Sequence, residues 1–520
     1  MTISSQVIAR AAVSGVRWNY LGSLATAASS LLIGAVLSRI LGPAPFGRVL
    51  IAMTVYGFVN LFTDGGFSLA LVQKKDLSDS DIRSTFTFQT FIGFGLAAIV
   101  ALLAPLLAEV FHDPGAVPVI RIMSLLIAVQ GVGLTSSALL RREMRFKTIQ
   151  QCNLAGYLIG YLLIGIPMAY RGGGVWSLVT AYIAQVCTTC GLMYLAVRHP
   201  LMPLMGLPPR SMSSFGGKMI LANLANWGHV NLDNIAVSNR QGSFALGLYG
   251  RVCSFAFTPC GVVVGSLQSV LLSSTAKAQE RKEVVGEMAL VAIALILAVV
   301  GPAYATFALI PETVITGIYG SKWIQAVPLA TPLAIGVMFY SCMCMLGPVL
   351  SGLGKPEREL WPQAITCGIA AVAYYFAAKV SLLALAWIVC GTNALRLLLL
   401  VISAFSVIHG TWVKVAATFF RGLLFSACFG LCMWMIDRNI RFLITSSEAR
   451  LAVIFTSAIV LLTLLFWYQA RLLVGARTIE FFYTYSSALP PWLKSHLHSL
   501  RGASDLSTVT EDRPVVAGRE

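Results

Sequence analysis

Apolar runs of about 20 residues, the length that an α-helix needs to cross roughly 30 Å of hydrocarbon, recur along this chain from end to end. Few of the gaps between them exceed about 15 residues, so most of the 520 residues belong to the runs or to short connections. A composition of 57% hydrophobic and 11% charged residues, with a mean hydropathy of +0.79, would leave large apolar patches on any soluble domain. The chain is therefore expected to be an all-α polytopic membrane protein of about fourteen transmembrane helices. Its first run is too long for the apolar part of a signal peptide and no small-residue cleavage site follows, so it is expected to be retained.

Lys and Arg cluster in alternate gaps. With the N-terminus inside, the internal gaps hold Lys74, Lys75 and Arg83, then Arg141, Arg142, Arg145 and Lys147, then Arg198, Arg210 and Lys218, and later Lys277, Arg281, Lys282, Lys355 and Arg358. The external gaps are poorer, apart from the gap after span thirteen with Arg438, Arg441 and Arg450. Both termini are placed in the cytoplasm, and the net charge of +16 reads as an orientation signal that needs no nucleic-acid partner. The eleven cysteines lie almost entirely in the apolar runs, which excludes a secreted disulfide framework. Cys187 and Cys190 form a CxxC without a second ligand pair and read as packing residues, so no metal site is expected.

A shift of 200 residues superposes Ser38 on Ser238, Gly42 on Gly242, Gly47 on Gly247 and Gly65 on Gly265. An even number of runs separates the two copies, which makes the repeats parallel, related by an axis along the membrane normal. Two pseudo-symmetric six-helix lobes plus two extra C-terminal helices follow. Residues 1–197 form the first lobe, 198–217 a Pro- and Gly-rich cytoplasmic linker, 218–408 the second lobe, 409–475 helices thirteen and fourteen, and 476–520 an interfacial segment with a disordered tail. Gly156 with Gly160 and Gly261 with Gly265 have the spacing of close helix contacts. Trp18, Trp176, Trp323 and Trp412 lie near run ends, as interfacial belts do.

SRILGPAPFGRVLIAMTVYGFVNLFTDGGFSLALVQKKD, LLRREMRF, GGGVWSLV and LDNIAVSNRQGSFALGLYGR together resemble the polysaccharide transporter family of lipid-linked oligosaccharide flippases. The likeness is to its colanic acid and teichuronic acid exporter branch, within the multidrug/oligosaccharidyl-lipid/polysaccharide exporter superfamily, and covers roughly residues 10 to 410. The resemblance implies a V-shaped pair of lobes around a cavity that opens alternately to the two sides. It also implies a substrate, an undecaprenyl-diphosphate-linked repeat unit turned across the bacterial inner membrane for exopolysaccharide, capsule or lipopolysaccharide export. A polysaccharide polymerase and co-polymerase would be partners of such a protein, which is expected to work as a monomer among membrane lipids.

Polar side chains inside apolar runs should face protein or a watery cavity, because a central charge costs about 2.5 to 3.5 kcal/mol to insert. They concentrate between Ala222 and Arg251. The candidates for the substrate cavity are Arg39, Arg48, Asn60, Arg121, Gln130, Asn226, Asn231, Asn234, Arg240, Arg251 and Gln268, with Arg396 deep in span twelve. Guanidinium groups suit a diphosphate and asparagines suit sugars, while snorkelling at a run end is the competing role for Arg39, Arg48 and Arg240. Asp64 and Asp233, with His229 one turn away, are the candidates for proton coupling. No cofactor is expected, and coupling would be to protons or sodium.

No GxxxxGK[ST] occurs, and GLGKPERE lacks the required residues, so ATP drive is not expected. A polymerase or transferase would carry catalytic groups in a long external loop, and no external gap is long enough, so an enzyme is not expected. Two alternatives remain within the superfamily: an ion-coupled drug or cation exporter, which an acidic cavity would favour, and the peptidoglycan-precursor flippase branch, which the quoted motifs resemble less well.

Overall fold

The computed structural model describes residues 5–64, 66–74, 76–201, 210–408 and 412–474; the side chains of 5–17, 210–223, 225, 226, 229 and 466–474 lie outside the described set. The described residues form helices and no strands: α1 Ser5–Ile40, α2 Pro43–Asp64, α3 Phe67–Gln73, α4 Asp79–Val110, α5 Val117–Arg142, α6 Phe146–Tyr157, α7 Ile166–Tyr170 and α8 Val175–Val197. After the gap come α9 Arg210–Lys277, α10 Lys282–Leu309, α11 Pro311–Tyr319, α12 Val327–Met343, α13 Leu346–Gly352, α14 Glu357–Val380, α15 Leu382–Phe405, α16 Trp412–Ile440 and α17 Ser447–Val474. Thirteen of the described segments are long and apolar enough to cross a membrane. One of them, Val230–Lys277, breaks at Gly242 (φ 78°, ψ 178°), a conformation closed to residues with a Cβ, and so supplies two crossings. The expected total of about fourteen agrees with this.

Local chemistry sets the ends. Ser78 and Asp81 close a capping box on α4, and Lys74 Nζ reaches Asp81 Oδ2 at 2.6 Å. Ser381 Oγ accepts from Ala384 N at 3.0 Å to start α15. Between α6 and α7, Leu158–Gly165 winds as a π-helix ahead of Pro167, which has no N–H to continue the ladder.

Helices α1 and α4–α8 pack mainly on one another and on α2, which also makes the main contact with α9, and the second part of α9 packs with α10–α15, with α16 laid against α10 and α17 against α11. The two bundles meet chiefly where α2 runs antiparallel to the first part of α9 and to its turn. The face from which the chain enters its first span is called the near face, and the opposite one the far face. On the far side a Cβ at Gly47 would strike Ser243 O and lie 2.9 Å from Gly247 N, while a Cβ at Gly247 would strike Pro43 O and lie 3.1 Å from Gly47 N. Pro43 and Ser243 are themselves 200 residues apart, so the repeat meets itself at this point. Towards the near face the same seam is filled by Phe58 against Trp227, ring centroids 4.9 Å apart.

Three expectations are corrected. Gly156 and Gly160 do press on α8, at Gln185 O and Ala181 O, but a Cβ at Gly261 or Gly265 would meet nothing within 4 Å. Trp323 is fully buried and belongs to no interfacial belt, because its indole N–H is used inside the protein. The basic gap after α16 is a paired cluster, in which Arg441 holds Asp437 at 2.8 Å and Glu312 at 3.1 Å. Linker residues 202–209 and the tail from 475 onward lie outside the described residues.

Beyond α8, His199 is 4% exposed and packs on Phe86 and Tyr194. Pro200 O can only accept, so Nδ1 carries the proton, and Nε2 accepts from Ser136 Oγ at 3.0 Å. Burial lowers the pKa of the ring below its ordinary value of 6.5. An unfolded His199 takes up its proton first as pH falls, so stability present above about pH 6.5 is lost below it. The melting temperature in detergent should therefore drop between pH 7.5 and pH 5.5, and His199→Gln should shrink that drop; an undiminished drop in the variant would assign the pH dependence elsewhere.

Candidate functional site

The seam between the bundles encloses a cavity of about 270 Å³. Its far end is sealed by groups that cross from each bundle to the other in matching positions. Trp323 Nε1 donates to Ser38 O at 2.8 Å, Lys322 Nζ to Ile40 O at 2.9 Å, and Arg39 Nε to Ile318 O at 2.9 Å, with Arg39 Nη2 on Gly317 O. In the other copy Ser238 Oγ donates to Phe111 O at 3.1 Å and Asn239 Nδ2 to Val110 O at 2.7 Å. Ser38 and Ser238 are repeat partners, and each ties the end of its own helix to the turn between two helices of the opposite bundle. On the near side of the cavity Tyr20 Oη lies 3.0 Å from Ser269 Oγ and donates to Gly265 O at 3.3 Å.

Arg251 stands in this cavity. Its guanidinium carbon is 5.1 Å from the centroid of Phe46 and 4.9 Å from that of Tyr319, and the group occupies the space that a side chain at Gly34 would fill. Cation–π contact holds a charge in place without neutralising it. Arg251 makes no ion pair with any described residue, and its Nε is buried without a hydrogen-bond partner. Tyr157 and Tyr161 stack at 4.8 Å on the wall formed by the π-helical stretch, and Ser30, Ser254 and Thr258 add hydroxyls. The cavity therefore offers a fixed cation, aromatic faces and hydroxyls, and among its lining residues no carboxylate.

Of the candidate site residues whose side chains are described, Arg251 alone lines this cavity. Arg39 belongs to the far seal and also meets Glu448 at 2.8 Å. Arg48 pairs with Asp113 at 3.2 Å, inside its own bundle. Arg240 is exposed, stacked 4.6 Å over Tyr375 and bonded to its hydroxyl. Arg121 is exposed near the start of α5, with a 3.4 Å bond to Ala101 O. Gln130 lines a separate cavity in the first bundle with Tyr56, Arg141 and Tyr182, and Gln268 lines one in the second bundle. Asn60 Oδ1 is buried with no partner. Asn231 and Asn234 bond within α9, to Trp227 O and to each other. Asn226 and His229 lie on α9 with side chains outside the described residues.

The two carboxylates differ. Asp64 Oδ1 accepts from Ser68 N at 3.2 Å and Gln89 Nε2 at 3.3 Å at the near end of α2. Asp233 Oδ2 accepts from Tyr249 Oη at 2.6 Å and its Oδ1 from Asn234 N at 2.8 Å. Neither makes an ion pair with a described residue. Phe46, Tyr319, Trp323 and Tyr20 were not singled out as site residues, because aromatic residues near run ends read as core or belt until their partners are known.

The family model described as "Polysaccharide biosynthesis protein" matches residues 36–328. The succinoglycan biosynthesis transport protein ExoT of Rhizobium meliloti is 24% identical over 85% of this chain and 88% of its own length. The teichuronic acid biosynthesis protein TuaB of Bacillus subtilis is 22% identical over 86% and 93%. Among solved structures, the lipid II flippase MurJ in an inward closed conformation superposes with a TM-score of 0.70 at 14% identity, covering 89% of this chain and 99% of that one. An inward-facing multidrug resistance MATE family transporter of the MOP superfamily gives 0.54 at 14% identity, covering 75% and 94%. The chain belongs to the polysaccharide biosynthesis protein family, and its fold is the multi-pass helical fold of these MOP-superfamily transporter structures.

Proposed function

We propose that this protein is a flippase that carries an undecaprenyl-diphosphate-linked oligosaccharide repeat unit across the bacterial inner membrane by alternating access, for export of a cell-surface polysaccharide. The near face is then the cytoplasmic face, with both termini on that side. The single observation that supports this reading best is Arg251, an unpaired guanidinium fixed between two aromatic rings in a cavity between the bundles. A planar fork of donors suits diphosphate oxygens, and the low dielectric of the site strengthens the contact. The hydroxyls and the Tyr157–Tyr161 stack suit the polar and CH faces of the adjoining sugar. The names of the relatives, transport and biosynthesis proteins for succinoglycan and teichuronic acid, fit a lipid-linked glycan as cargo.

A cation exporter is disfavoured by the sign of the unpaired charge, since a cationic drug would meet Arg251. The polymerase that would consume the translocated unit, and the co-polymerase, remain the partners of this reading. Coupling is assigned to Asp233. Its carboxylate sits on the helix that forms the seam, and no described cation fixes it in the charged form. One proton crossing about 100 mV supplies roughly 2.3 kcal/mol, enough to bias transport more than tenfold.

Arg251→Ala should lower polymer export about tenfold or more at equal membrane abundance, because a charged hydrogen bond is worth about 1.5–3 kcal/mol, with complete single repeat units accumulating on the cytoplasmic face. Arg251→Lys should recover part of the loss. Full export from Arg251→Ala, or accumulation on the periplasmic face, would contradict the reading. For Asp233→Asn, uptake of the lipid-linked unit into proteoliposomes should become insensitive to an imposed proton gradient. If the variant still responds to that gradient as the wild type does, coupling lies elsewhere; a wild type that answers only to sodium would replace the proton.

A further inference from the structure

The second bundle holds a larger cavity that the flippase reading leaves unused. It measures about 580 Å³, within the roughly 300–1,000 Å³ of small-molecule sites, and lies between both parts of α9 and helices α12–α15. Arg396 of α15 faces it. That side chain is only 7% exposed, yet its guanidinium makes no ion pair or hydrogen bond with any described residue. It lies nine positions before the end of α15, about 14 Å along the helix, inside an apolar span where a charge is costly unless a polar partner meets it. A cation left unpaired at that depth, with a cavity in front of it, is arranged for a polar occupant.

The other lining groups decide which occupant. Glu359 of α14 presents its carboxylate to the same space, packed on Gly347 so closely that a Cβ there would lie 2.9 Å from both oxygens. Gln268 gives one N–H to Cys344 O at 2.9 Å and keeps its carbonyl oxygen for another donor. Gln363 and the ring of Tyr340 complete the wall. A diphosphate in this space would meet the carboxylate of Glu359, and a cation would meet Arg396. A neutral polyhydroxyl ligand satisfies both, since each hydroxyl accepts from the guanidinium and donates to the carboxylate or amide oxygen.

We infer that this cavity is a carbohydrate subsite that takes sugar residues of the lipid-linked glycan, an assignment that rests on the flippase reading. Its position fits that use. Ser269 and Gly265 line the cavity and are also the groups that Tyr20 bonds across the seam, so sugars there touch the contact that holds α1 to α9.

The test uses the full chain in nanodiscs with two probes, undecaprenyl diphosphate without sugar and the complete lipid-linked repeat unit extracted from a polymerase-deficient strain. Wild type should bind the complete unit about tenfold more tightly than the bare lipid, a difference of about 1.4 kcal/mol. Arg396→Lys and Glu359→Gln should each bring that preference below about threefold and leave the Kd for bare lipid unchanged. Should either fail to fold, Gln363→Ala, at the same wall, should still reduce the preference. Variants that keep the full preference, or a wild type with none, would overturn the subsite; a wild type that binds neither lipid would overturn the flippase reading itself.

Discussion

The contact of Gly47 with Gly247 is the constraint on which the rest of the structure depends. With no side chain at either position, the start of α2 and the turn of α9 approach until backbone meets backbone, and the two repeats touch at equivalent residues. That approach brings the ends of α1 and of the first part of α9 within reach of the opposite bundle's turns. The far seal follows from it, and so does the position of Arg251, one turn beyond Gly247 on the same helix and opposite Gly34. A methyl group at either glycine would push the bundles apart at the point where the seal has to close.

The seal is strong enough to hold and weak enough to break. Its bonds run from Trp323, Lys322, Arg39, Ser238 and Asn239 to backbone carbonyls of the other bundle. With the second bond of Arg39 they number six, and at about 1 kcal/mol each they total roughly 6 kcal/mol. Moving a two-state equilibrium from 1:99 to 99:1 takes about 5.5 kcal/mol, so a substrate with that difference in affinity suffices to open it. The Arg39–Glu448 pair adds little, since both side chains are around half exposed. Its role is placement: it sets the start of α17 beside the end of α1, which gives the two helices beyond the repeat a fixed seat at the far face.

Much of this was legible in the sequence, and the limits have physical causes. Apolar run length shows how many helices cross, and the 200-residue echo identified Gly47 and Gly247 as equivalent without showing that they touch. A repeat signals symmetry, while contact depends on how the bundles are rotated. Arginines were harder. Arg39, Arg48, Arg240 and Arg251 share composition and setting in the chain, yet the first three are held at the seal, by a carboxylate or at an exposed tyrosine, and Arg251 is held only by aromatic residues inside the cavity. Only the partner across space separates a snorkelling or bridging guanidinium from one that waits for a ligand. Arg396, the deepest of them in sequence, proved to face a cavity of its own. Trp323 was misplaced for the same reason, because an indole near a run end suits a membrane belt and a buried bond equally well.

The proposed alternating access requires the bundles to pivot between a far-sealed and a far-open state around the α2–α9 contact. Spin labels at His112 and Ile324 would report the far face, and labels at Ser23 and Val270 the near face, in one doubly labelled protein for each pair. On addition of the complete lipid-linked repeat unit under an imposed ion gradient, the far-face distance should gain a longer population while the near-face distance keeps or shortens its own. Far-face distances that never change while transport proceeds would contradict the account.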